Sequence, residues 1–201
     1  MKFDAVRINQ GIDSYNEIMS KINTPEFCTD SFKKLFNGFY RIRQKPSSWY
    51  DAYYEVFSDC KQNKLSFKDV LTIVYDKTGE LHPSFCSKMI ATLNPDKPIW
   101  DQYVLQWLGI ILNPPKEAKD KIEYMSKIYK QIEIEYNAHL NDKNIQEAIR
   151  DFDIKIKNGK NISSIKKIDF MLWSNRNERT VSILDYNSLL DELESLKTKA
   201  K

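Results

Sequence analysis

Apolar residues recur along this chain with a period near 3.6, the spacing of one helix face. Phe32, Leu35, Phe36 and Phe39 fall at i, i+3, i+4 and i+7 and predict a helix capped by Asp30 or Ser31. Pro46 closes that helix, and Ser47 or Ser48 starts the next, which buries Trp49, Tyr53, Val56, Phe57 and Cys60. Ser66 caps a third helix with Phe67, Val70, Leu71 and Val74 on one side, and Gly79 breaks it. Pro83, a good first-turn residue, opens a fourth that reaches Leu93. After the Pro95 to Pro98 punctuation, a fifth helix is expected from about Ile99 to Gly109. Pro114 and Pro115 form a second break. The longest helix follows over 116–140, then one over 144–157, a turn at 158–161, and a helix from Ser163 or Ser164 carrying Ile165, Ile168, Met171 and Leu172. Residues 181–201 read as a last amphipathic helix with a lysine-rich end. A short strand at 154–156 is the one alternative to helix. No internal repeat and no sustained heptad is present.

This is the pattern of an all-α protein. Its 201 residues suit one unit with a single core or two lobes, about 31–113 for one lobe and 1–30 with 114–201 for the other. Only 5 glycines and 7 prolines, against 41% hydrophobic residues, exclude low-complexity and disordered classes. No apolar run approaches the ~18 residues of a membrane helix. The first residues carry Asp4 and Asp13 without an apolar stretch, unlike a secretory signal. Cys28, Cys60 and Cys86 are scattered, with no CxxC, which fits a reduced, cytoplasmic protein. His82 and His139 are too few and too far apart for a dedicated zinc site, so no metal is expected. The net charge of +3 permits a nucleic-acid partner without requiring one.

The most informative stretch is residues 76–109, DKTGELHPSFCSKMIATLNPDKPIWDQYVLQWLG. A helix ends at a Gly turn, a second starts at Pro83, and a short loop delivers Pro98-Ile99-Trp100-Asp101 to the start of another helix. This resembles the helix-hairpin-helix DNA glycosylase superfamily, which includes the endonuclease III, adenine glycosylase and 8-oxoguanine glycosylase branches. In that family a Pro-hydrophobic-hydrophobic-Asp element presents the catalytic aspartate, and Pro98 to Asp101 matches it, with Val104 three residues on. The close match covers about a sixth of the chain. The resemblance implies a two-lobed helical fold with a central cleft and an enzyme that flips a modified or damaged base out of double-stranded DNA and hydrolyses its N-glycosidic bond. It implies Asp101 as the catalytic residue, no cofactor, a monomer, and a role in repair or in defence against phage DNA with modified bases. The family's lysine position falls on Ser84, and Lys88 lies four residues later on the same face, toward the base pocket. That implies a monofunctional enzyme. The family hairpin is Gly-rich, whereas this one reads Gly79-Glu80-Leu81-His82. Phosphate contact then rests on Gly79, His82, Ser84, Ser87 and the helix start at Pro83.

Breaking an N-glycosidic bond passes through an oxocarbenium-like sugar. One carboxylate held beside the anomeric carbon stabilises that cation and orients water. Asp at a loop-to-helix junction is also an ordinary N-cap, and Asp101 is open to both roles. A flipped base needs flat or apolar walls. Tyr40, Trp100, Asp169, Phe170 and Trp173 are the candidates, beside Lys88, although most aromatic residues of such a chain belong to its core. Arg41 and Arg43, with Lys33, Lys34, Lys45, Lys77, Lys88, Lys166 and Lys167, offer a phosphate-facing stripe. The basic residues over 116–130 alternate with acids and read as a solvated face. Two other readings remain: a non-catalytic DNA-binding module on the same scaffold, and an unrelated all-α interaction protein in which Asp101 only caps a helix.

Overall fold

A computed structural model of the chain describes residues 1–175. Within them the protein is all-α, with nine α-helices, one 3₁₀ turn and no strand. In chain order these are α1 Ala5–Lys21, α2 Asp30–Tyr40, α3 Ser47–Asn63, α4 Phe67–Thr78, α5 Pro83–Leu93, α6 Gln102–Trp107, α7 Ala118–His139, α8 Lys143–Lys155 and α9 Ser164–Ser174, with the 3₁₀ turn at Gly159–Asn161 before α9. The helix expected over 181–201 lies outside the described residues.

Local chemistry sets most boundaries. Ser66 and Asp69 form a reciprocal capping box at the start of α4, and Gly79 ends α4 in the left-handed conformation at φ 72°. Pro83 occupies the first turn of α5. Thr29, rather than Asp30 or Ser31, caps α2, and Pro46, rather than a serine, precedes α3. Ile154 lies inside α8, so no strand forms there. The fifth helix is shorter than its apolar pattern suggests. It starts at Gln102, and Ile99 and Trp100 are extended, buried loop residues. Asp101 sets this limit, because its side chain takes the first free amides of α6.

The N-terminal helix is absent from the elements predicted above. Asp4 caps α1, and Ile8, Ile12, Tyr15 and Ile18 form its buried stripe. Those four positions recur at helical spacing, with polar residues between them on the outer face. The stripe packs on α2 and α9. Arg7 donates to the Ser174 carbonyl at 2.6 Å, and the Asp4 amide donates to the Ser174 hydroxyl at 3.1 Å. The two ends of the described chain are thereby joined. α4 packs against α3, α5 and α7, while α9 lies against α1, α6 and α8. Nine of the eleven residues of α9 are buried, so it is a core helix enclosed on nearly every side.

Candidate active site

The loop before α6 is held from three directions. The Tyr129 hydroxyl of α7 donates to the Pro98 carbonyl at 2.9 Å. The Ser163 hydroxyl, just before α9, donates to the Pro95 carbonyl at 2.6 Å. The Trp100 amide donates to the Ser87 hydroxyl of α5 at 2.8 Å. Proline limits the loop's own freedom, and these bonds supply its direction. Asp101 is thereby delivered to the wall of a cavity of about 550 Å³.

That cavity gathers most of the residues singled out from the sequence. Tyr40 and Arg41 reach it from the end of α2, Ser84 and Lys88 from α5, and Trp100 and Asp101 from the loop. Asp169, Phe170 and Trp173 line it from α9. Four proposed DNA contacts, Gly79, His82, Ser87 and Arg43, do not line it. Ser87 is fully buried, and its hydroxyl holds the Trp100 amide and donates to the Ser84 carbonyl, so it braces the loop. The Gly79 amide is taken by the Tyr75 carbonyl, which closes α4, and the Glu80 amide by the Thr78 hydroxyl. His82 packs on Phe85 with ring centroids 5.0 Å apart and meets the Glu80 carboxylate, which also pairs with Lys45. An acidic, internally bonded hairpin tip is a poor phosphate clamp. Arg43 is exposed.

The phosphate-facing stripe loses two members. Lys166 and Lys167 are buried in α9, where Lys166 pairs with Asp169 at 2.8 Å and Lys167 with Asp153 at 2.6 Å. Lys166 instead lines the cavity. Its apolar neighbours Ile165, Ile168, Phe170 and Met171 leave α9 no face on which to expose a lysine, and that signal is in the sequence. Tyr103 and Gly11 also line the cavity without having been singled out.

Asp101 combines two functions. Its Oδ1 accepts both cap bonds, from the Tyr103 amide at 2.8 Å and the Val104 amide at 3.1 Å. Its Oδ2 makes no hydrogen bond within the described residues. Burial raises the Asp101 pKa above the usual carboxylate range, against the pull of the two amides and of the Lys88 and Lys166 charges. Lys88 donates to the Tyr40 carbonyl at 3.3 Å, and burial lowers its pKa to about 8, with Lys166 pushing the same way and Asp101 opposing. Deeper in the wall, Asp169 accepts from the Tyr136 hydroxyl and from Lys166, both at 2.8 Å. The cavity therefore offers one carboxylate with an oxygen that no described residue bonds, one amine whose pKa is lowered to about 8, one buried ion pair, and aromatic walls.

Among the described residues no cluster of histidine, cysteine or carboxylate side chains could hold a metal ion, and no helix is long and apolar enough to cross a membrane. Compared with known proteins, the chain matches no family model, no curated protein and no solved structure.

The cavity wall makes a stability prediction at Gly11, which sits mid-helix in α1. A Cβ there would meet Phe39 and Trp173 at 4.0 Å, an ordinary contact. Gly11→Ala should stabilise the protein by about 0.5–1 kcal/mol through helix propensity, read as a higher midpoint in urea.

Proposed function

We propose that the protein is a DNA glycosylase that accepts a flipped, modified or damaged base and hydrolyses its N-glycosidic bond. In this reading the cavity is a cleft between a lobe of about residues 31–113 and a second lobe built from 1–30 and the chain after 113. The observation that carries the proposal is Asp101 at the wall of an aromatic-lined cavity, with an Oδ2 that no described residue bonds. A volume of about 550 Å³ lies within the ~300–1,000 Å³ usual for small-ligand sites, which is ample for one base. The base stacks between aromatic side chains, chosen among Tyr40, Trp100, Phe170 and Trp173. As the glycosidic bond stretches, positive charge grows on the sugar, and the Asp101 carboxylate stabilises it and orients the attacking water. Arg41 at the cavity rim is the nearest candidate for a phosphate contact.

Duplexes bearing different modified bases, incubated with the protein and then treated with alkali, test this. Cleavage at one modified position is the expected result. No abasic site from any duplex in a broad panel would remove the glycosylase reading.

Lys88 favours a second step. Its pKa near 8 provides some neutral amine at physiological pH, and it shares the cavity with Asp101. A neutral amine can add to the C1′ aldehyde of an abasic sugar, and the resulting carbinolamine takes up a proton from solvent and loses water to form an iminium. Borohydride trapping of protein on abasic DNA should then rise as pH passes through about 8, where Lys88 gives up its proton. It should vanish in Lys88→Ala. If no adduct is trapped at any pH, the enzyme is monofunctional and Lys88 serves only the pocket.

A further inference from the structure

The innermost charges of the cavity have a use that Asp101 does not cover. Lys166 and Asp169 are each only 3% exposed, yet both line the cavity. A buried ion pair is weak evidence for stability, because apolar replacements of similar volume are often as stable. The described residues do not exhaust the donors and acceptors of this pair. The Lys166 ammonium has three N–H groups, and one goes to Asp169 Oδ2 at 2.8 Å. Asp169 Oδ1 accepts from Tyr136 at 2.8 Å, and each carboxylate oxygen keeps a further lone pair. The wall thus presents charged donors beside charged acceptors, between aromatic side chains.

We propose that Lys166 and Asp169 read the edge of the bound ring, and that this ring is an oxo-purine or oxo-pyrimidine with a ring C=O beside a ring N–H. The assignment rests on the base-excision reading for how the ring is presented. The carbonyl oxygen meets the Lys166 ammonium, and the adjacent N–H meets the Asp169 carboxylate. Charged partners favour this lactam edge twice over. A carbonyl oxygen offers two lone pairs where an amidine edge offers one ring nitrogen. A lactam N–H is also more acidic than an exocyclic amino N–H. Hypoxanthine- and uracil-type rings fit; adenine- and cytosine-type edges fit less well.

Free bases test this without any chemistry. Trp100 and Trp173 line the cavity, so tryptophan fluorescence reports occupancy. Hypoxanthine should bind at least about tenfold more tightly than adenine, and uracil more tightly than cytosine, by a similar factor. In the Lys166→Met/Asp169→Asn double variant, which removes both charges and keeps an acceptor for Tyr136, that preference should disappear. Equal or reversed preference in the wild-type protein would overturn the proposal, as would no saturable binding of any base, or a preference unchanged in the folded double variant. The wild-type comparison stands even if the variant fails to fold. A parallel assay uses duplexes carrying hypoxanthine, uracil or 1,N6-ethenoadenine, which has no lactam edge. Lactam selectivity with no base release from these duplexes or from any other in the broad panel would overturn base excision and leave the pocket assignment standing. Release confined to ethenoadenine would overturn the pocket assignment and leave excision standing.

Discussion

Asp101→Asn is expected to preserve the fold and lower base release by about 10²–10³-fold or more. Asparagine caps helices as well as aspartate, and its Oδ1 can accept the same bonds from the Tyr103 and Val104 amides. The thermal midpoint and DNA affinity should therefore stay close to those of the parent protein. What disappears is the negative charge at the point where the sugar becomes positive. The pH dependence has a defined sign. In the proposed reaction Asp101 would work as its anion, and burial raises its pKa, so activity should fall on acidification through a midpoint above the ordinary aspartate value. Asp101→Leu would be uninformative, since it removes the cap and the charge together. Full activity in Asp101→Asn, on a substrate the parent cleaves, would reduce Asp101 to a helix cap.

The second large effect is on stability. Lys166→Met alone should destabilise the protein by about 3–5 kcal/mol, because it leaves the Asp169 carboxylate buried without its cation. Tyr136 would remain the only donor to Asp169 within the described residues. Burial already raises the Asp169 pKa, with Lys166 opposing that rise, so losing Lys166 raises it further. A carboxyl with a folded pKa above its unfolded value destabilises the fold when ionised. The deficit should be full above the folded pKa and shrink as pH falls through it. Urea unfolding of the variant at two pH values measures both the loss and its direction. Adding Asp169→Asn should recover much of the loss, since no charge is then stranded. A single variant as stable as the parent would mean that Asp169 finds another partner.

Local signals in the chain carried much of this architecture. The Phe32, Leu35, Phe36 and Phe39 face, the Ser66 cap, Gly79, Pro83 and the proline-rich break before Asp101 are readable because each acts within a few residues. α1 was equally legible, since Ile8, Ile12, Tyr15 and Ile18 recur at helical spacing behind the Asp4 cap, and the sequence reading above passed over them. The start of α6 was misplaced because Ile99 and Trp100 look helical by polarity, while Asp101 sets the true boundary. At the site, Asp101, Lys88, Tyr40 and Asp169 were legible as residue types with unmet chemistry. Lys166 was read as a surface cation because a lysine pair suggests solvent. Its apolar neighbours in α9 carried the opposite signal, and the structure encloses the helix. Ser87 and His82 were assigned to DNA from their place beside a hairpin, yet their bonds turn inward.

The bond from the Asp4 amide to the Ser174 hydroxyl spans 170 positions, and the cavity likewise needs α1 and α9 together. During synthesis the N-terminal helix emerges early, but its partner follows only when nearly all of the described chain has left the ribosome. A nascent chain that stalls before residue 164 has α1 and the Asp101 loop but none of α9, whose side chains close one wall. Partial products of translation or of proteolysis from the C-terminal side should therefore lack a base-sized pocket altogether. Under this arrangement, the chain carries either the finished cavity or none.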